Sequence, residues 1–79
     1  MHRRSEPQKV IVRGSGMEIH AYAVETDGEW VRVVWKVASG RCRRRSISAE
    51  NVFLPSSAYP WAGLIMSAEQ LRSHHRAAR

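Results

Sequence analysis

The segment Trp30–Val37 constrains this chain more than any other. Val31, Val33, Trp35 and Val37 fall on one side of an extended backbone, and Trp30, Arg32, Val34 and Lys36 fall on the other. That period of two belongs to a β-strand and not to a helix. The first side is expected to be core. The second, with two positive charges flanking a valine, is expected to be half solvated. Thr26-Asp27-Gly28-Glu29 precedes the strand and reads as a tight hairpin turn, because Asp-Gly tolerates positive φ. The turn leads back to Ile19–Glu25, where Ile19, Ala21 and Ala23 alternate with His20, Tyr22 and Val24. Lys9–Arg13 is a shorter β-branched strand, closed by the turn residues Gly14-Ser15-Gly16.

After a second turn at Ala38-Ser39-Gly40 comes Arg41-Cys42-Arg43-Arg44-Arg45, and here the alternation conflicts with itself. If Ile47 points inward by strict period two, so do Arg45, Arg43 and Arg41, which would bury three charges. The expected resolution places Cys42 inward and Arg41, Arg43 and Arg45 outward, with a bulge or bend near Arg45-Ser46 returning Ile47 to the core. Ser48-Ala49-Glu50-Asn51 predicts a single helical turn, and Val52-Phe53-Leu54 a last short strand stopped by Pro55. Pro55–Trp61 is expected to be a loop. Ser67-Ala68-Glu69-Gln70 fits the capping-box pattern, predicting a helix from Ala68 to about His75. Arg72, His74, His75, Arg76 and Arg79 complement its negative end. Its only large apolar side chain is Leu71, so it must dock or fray.

These elements predict one mainly β domain: a small antiparallel four- to five-stranded barrel with a short C-terminal helix. Residues 1–7 are expected to be a flexible arm, 8–54 the barrel, and 55–79 a loop and helix packed on it. Trp35 and Phe53 are expected in the core, with Tyr59 and Trp61 stapling the C-terminal segment. Three features carry a resemblance: the Asp27-Gly28-Glu29-Trp30 hairpin entering Val31-Arg32-Val33-Val34-Trp35, the Gly40 turn, and Ser48-Ala49-Glu50-Asn51-Val52 before the last strand. On these, residues 8–54, or 47 of 79, resemble a Src-homology-3-type barrel of the sort found in Tudor and KOW modules. The resemblance implies a binding module. Tudor-like members take methylated lysine or arginine in an aromatic cage, and KOW-like members take RNA or ribosomal and transcription partners. Others take duplex DNA or proline-rich peptides.

The net charge of +6 comes from thirteen basic residues, of which only Lys9 and Lys36 are lysine. Arginine suits planar recognition of phosphate and carboxylate. The expected function is therefore contact with nucleic-acid phosphates, DNA or RNA, largely without sequence specificity. The expected contacts are Arg32, Lys36, Arg41, Arg43, Arg44 and Arg45, with Arg13 and Arg3-Arg4 extending the field and Trp30 stacking on an exposed base. The alternative is a protein-interaction adaptor or inhibitor, of the kind a phage or mobile element encodes, binding an acidic protein or self-associating. The apolar residues 61–66 are expected either to pack back as an extra strand or to make an interface, as a homo-oligomer contact or a docking surface. Four of the seven acids lie within Glu18–Glu29, so a charge dipole is expected if that hairpin lies far from the arginines.

Other classes find little support. Cys42 is the single cysteine, so no intrachain disulfide can form. Adjacent His74-His75 lacks the three- or four-residue spacing of helical metal ligands. No Ser-His-Asp or Cys-His pattern marks a catalyst. No enzyme activity, metal or cofactor is expected. The longest apolar stretch, Tyr59–Met66, is too short for a bilayer, and Met1–Pro7 has no apolar run behind its charges. A cytoplasmic protein, in the host cytoplasm if phage-encoded, is the expectation.

Overall fold

The computed structural model describes residues 7–14 and 16–76, with side chains to His74. The expected N-terminal arm, Arg3-Arg4 and Arg79 lie outside the described residues. Five antiparallel strands follow in chain order: β1 (Gln8–Gly14), β2 (Met17–Asp27), β3 (Trp30–Lys36), β4 (Cys42–Ser48) and β5 (Val52–Phe53). A 3-10 turn, Ala49–Asn51, joins β4 to β5, and one helix, α1 (Ala68–Arg76), ends the described chain. The strand order is β4-β3-β2-β1-β5. The sheet is not a closed barrel. Among the described residues, β4 pairs only with β3 and β5 only with β1, so both are open edges.

The long strand β2 bends the sheet. Its first part pairs with β1, from Gly14↔Met17 to Gln8↔Ala23, and its second part with β3, from Tyr22↔Val34 to Asp27↔Trp30. The register shifts between Ala23 and Glu25, where Val24 is the extra residue of a β-bulge, a device that bends a strand and increases its twist. The two leaves thus fold over one another. Val10, Val12 and Ala21 from one leaf meet Val31 and Val33 from the other in a single buried cluster, bordered by Ile19, Ala23, Trp35, Ile47 and Val52. The β2–β3 hairpin closes through Gly28 at φ 64, the positive-φ first loop position that glycine fills in type II′ turns. The Ala49 amide donates to the Glu29 carbonyl at 2.8 Å and ties the 3-10 turn to this hairpin.

The second side of the sheet is more deeply buried than its sequence pattern implies. Val33 and Val34 are neighbours that point to opposite faces, and both are 0% exposed. Val34 belongs to a second cluster with Tyr22, Val24, Met66 and Leu71, bordered by Cys42 and Trp61. The cover comes from residues 61–66 and α1. Trp61 packs edge-on to Tyr22 at 5.1 Å, and its Nε1 donates to the Ala21 carbonyl at 3.0 Å. The Met66 amide donates to the Tyr22 hydroxyl at 3.4 Å. The capping box closes in both directions: Gln70 N to Ser67 Oγ at 3.1 Å, and Ser67 N to Gln70 Oε1 at 3.0 Å. Leu71 then docks α1 and does not leave it to fray.

Three expectations are corrected. The β3–β4 register runs unbroken from Trp30↔Ser48 to Lys36↔Cys42, so no bend occurs near Ser46. Residues directly opposite share a face. Arg43 faces Trp35, Arg45 faces Val33 and Ile47 faces Val31, all on the side of the first cluster, with Cys42 on the other. The arginines escape burial because β4 is an edge strand, and their long stems carry the guanidinium groups past the rim into water. Phe53 is exposed and not core, because β5 is a two-residue edge. Tyr59 is exposed too, with the Arg13 guanidinium 5.2 Å from its ring centre, so of the two rings only Trp61 packs against the second cluster.

Candidate functional site

β4 presents its arginines on both sides of one sheet edge. Arg43 and Arg45 lie on the first-cluster side and Arg44 on the other, while Arg41 sits just before the strand in the β3–β4 turn. That turn is held by Val37 N to Arg41 O and Gly40 N to Val37 O, each at 2.8 Å. Arg43, Arg44 and Arg45 are exposed, as is Arg41. Among the described residues, none of the four forms a salt bridge. Lys36, opposite Cys42, is half-buried on the Arg44 side and is likewise in no ion pair among the described residues. The expected single row is therefore a ridge with charge on both flanks.

Arg32 and Trp30 stand apart from that ridge. Arg32 Nε lies 3.7 Å from Glu25 Oε1, an ion pair too long for a hydrogen bond. Glu25 Oε1 is buried with no hydrogen-bond partner. Trp30 is exposed and lines a cavity of about 280 Å³ with Glu25, Asp27, Arg32 and Ser46. The structure thus groups Trp30 with carboxylates and not with the β4 arginines. Six residue steps along β3 separate Trp30 from Lys36, or about 20 Å. Asp27 and Glu29 lie toward the first end and Lys36, Arg41, Arg43 and Arg44 toward the second, whereas Glu18 is paired with Arg13 and Glu25 with Arg32, so the expected separation of charge holds for only two of the four acids.

A second recess opens where the leaves splay. Val12, Met17, Ile19 and Ile47 floor a cavity of about 330 Å³, with Arg13 and Arg45 at its margin and Asn51 beside them. Sequence reasoning placed Arg13 only in the general field, and Asn51 not at all. Arg13 is engaged with Glu18, Nε to Oε1 at 3.3 Å. The bond from His20, with the charge of Arg13, holds the Glu18 carboxyl below its usual range, although desolvation opposes them. His20 Nδ1 accepts from the Ala62 amide at 2.9 Å, so in the neutral ring Nε2 carries the proton that reaches Glu18 Oε2, also at 2.9 Å. This Glu–His pair leads to a backbone amide and not to a nucleophile. It anchors the C-terminal segment.

His74 sits one turn beyond Leu71 on the face of α1 that meets the sheet. Its Nδ1 is buried without a partner. Burial, and then the nearby charge of Arg44, lower its pKa from the ordinary value. Among the described residues, no three His, Cys, Asp or Glu side chains group as metal ligands, and no helix is long and apolar enough to cross a membrane. Compared with known proteins, the chain matches no family model, no curated protein and no solved structure.

Proposed function

We propose that this protein is a small basic module that binds nucleic-acid phosphates, largely without sequence specificity, through the arginine ridge of β4. One observation carries the reading: Arg41, Arg43, Arg44 and Arg45 stand together on an open sheet edge, and none is neutralised by a described carboxylate. Clustered like charges repel one another, and a polyanion relieves that repulsion while releasing its own counterions. Lys36 adds to the ridge. Arg32 contributes less, because Glu25 faces it. Trp30 stacks on a base only where the strand extends to the acidic end of the sheet. The strand order, with a 3-10 turn between β4 and β5, supports a Src-homology-3-type layout for the domain.

Engaging about four phosphates gives a log–log salt slope near −3 to −4. A salt-dependent titration against duplex DNA, single-stranded DNA and RNA tests this. No binding to any of the three at low salt overturns it. A second reading has its own observation: the outer backbone groups of β4 are unpaired among the described residues, so an acidic peptide could add there as a further strand. A pull-down after nuclease treatment separates the two. Recovery of a partner that survives nuclease favours the acidic protein, and loss favours nucleic acid.

A further inference from the structure

The recess floored by Val12, Ile19 and Ile47 opens on the side of the sheet that carries Arg43 and Arg45. Ile47 follows Arg45 by two residues on β4, so the two share a face. Arg45 therefore belongs at once to the ridge and to the margin of the recess. Arg43 stands about 7 Å further along the same face. A phosphate chain laid on these two arginines passes the mouth of a hollow of about 330 Å³. Two more polar groups border that hollow. The Arg13 guanidinium is held from two sides, by Glu18 at 3.3 Å and by the Tyr59 ring at 5.2 Å. Tyr59 belongs to the strap, residues 54–67, that joins β5 to α1. Asn51, in the 3-10 turn, is exposed, and its side-chain amide makes no hydrogen bond among the described residues.

Resting on the phosphate-binding reading of β4, we infer that this recess takes one unstacked base of a single strand whose phosphates lie on the ridge. A base fits the hollow in three respects. Its ring displaces water from the valine and isoleucine floor. Its flat face lies on a guanidinium plane, as unstacked bases do in single-strand recognition, and Arg13 is such a plane already held in position. Its edge carries both donors and acceptors, which the Asn51 amide meets in a bidentate pair. An acyl chain or an apolar peptide side chain would fill the same floor and leave that amide unpaired. A duplex offers no base without first flipping one out, at a cost in pairing and stacking that a single strand is spared. The ridge alone reads only phosphate, so the recess is what turns a phosphate binder into a single-strand binder.

Titrating the full chain with oligothymidylate and with an abasic strand of the same length tests the inference, since both carry the same phosphates. The two should show the same salt slope, and the oligothymidylate should bind about 10-fold tighter. Gly14→Leu should erase that difference. The position has room for a side chain, because a Cβ there meets only the Asn51 side chain, at 3.8 Å, and the leucine would occupy the margin of the recess. Asn51→Ala should reduce the difference. Both variants should bind the abasic strand as the parent does, which shows that fold and ridge are intact. Equal binding of the two strands by the parent overturns the base site and leaves the ridge standing. So does a difference that persists in Gly14→Leu, which would put the base elsewhere, as on Trp30. Binding of neither strand overturns the phosphate-binding reading and the base site with it.

Discussion

β4 and β5 are the two edges of one sheet, and they avoid unwanted pairing by opposite means. β4 is seven residues long and fully paired along its inner side, an exposed template that could recruit any strand. Its arginines make pairing with a second β4 unfavourable, because like charges would stand opposite one another. β5 is two residues long and ends before Pro55, so little backbone is offered there. Shortness protects it without charge, and that leaves its flank apolar. The charge that protects one edge also makes it attractive to polyanions.

The largest expected effect comes from reversing the first edge. Arg43→Glu/Arg45→Glu should abolish nucleic-acid binding and leave the thermal midpoint nearly unchanged, since both side chains reach solvent. In the unmodified protein, raising salt from about 50 to 200 mM should weaken binding about 100-fold. Arg44→Ala alone should lower the slope by about one. If the double reversal binds as before, the contact lies elsewhere and the contrast between the edges has no functional meaning.

The second edge is expected to respond in stability. Trp61→Ala removes the bond to the Ala21 carbonyl, the edge contact with Tyr22, and the Lys9 ammonium 4.8 Å above the indole. A loss of about 2–4 kcal/mol in denaturant unfolding is expected, with the strap losing amide protection before β4 does. Gly63→Ala is expected to cost about 1–3 kcal/mol, because its new methyl meets backbone and a packed ring that cannot both yield. A Gly63→Ala chain as stable as the parent would mean that the strap is held less tightly than the His20 and Trp61 contacts imply.

The sequence made β1 to β3 legible because each alternates cleanly and turn residues separate them. The capping box likewise placed the start of α1. β4 was misread from a premise of one core face. With a single core, Ile47 and the arginines could not share a side, so a bend was required. The described residues form two apolar clusters and β4 is an edge among them, and both facts arise from long-range contacts. Trp61 bonds to a carbonyl forty residues away, and no local pattern announces that such a residue will cover Val34. The arginine cluster was visible at once, but its division between two faces depended on register. The separation of Trp30 from it depended on which end of β3 met the acids.

The smallest expected effect lies under β4, where α1 ends. His74 binds a proton less readily in the folded chain than in the unfolded one, first because it is partly buried and then because Arg44 is near. Its contribution to stability is therefore complete above the unfolded value of 6.5 and is lost as pH falls through the lower folded value. The thermal midpoint should be flat from about pH 8 to 7 and decline modestly toward pH 5. Glu18, whose carboxyl is also lowered, acts only in a separate window below 4.5. Arg44→Gln should shallow the decline without removing it, because burial is the larger cause. His74→Asn should remove most of it. Hydrogen exchange should show α1 losing protection as pH falls while the Trp61 end of the strap stays protected, since the indole bond to the Ala21 carbonyl does not titrate. Equal loss at both places would mean that the helix and the strap detach as one unit, and that the two edges are less independent than their chemistry makes them.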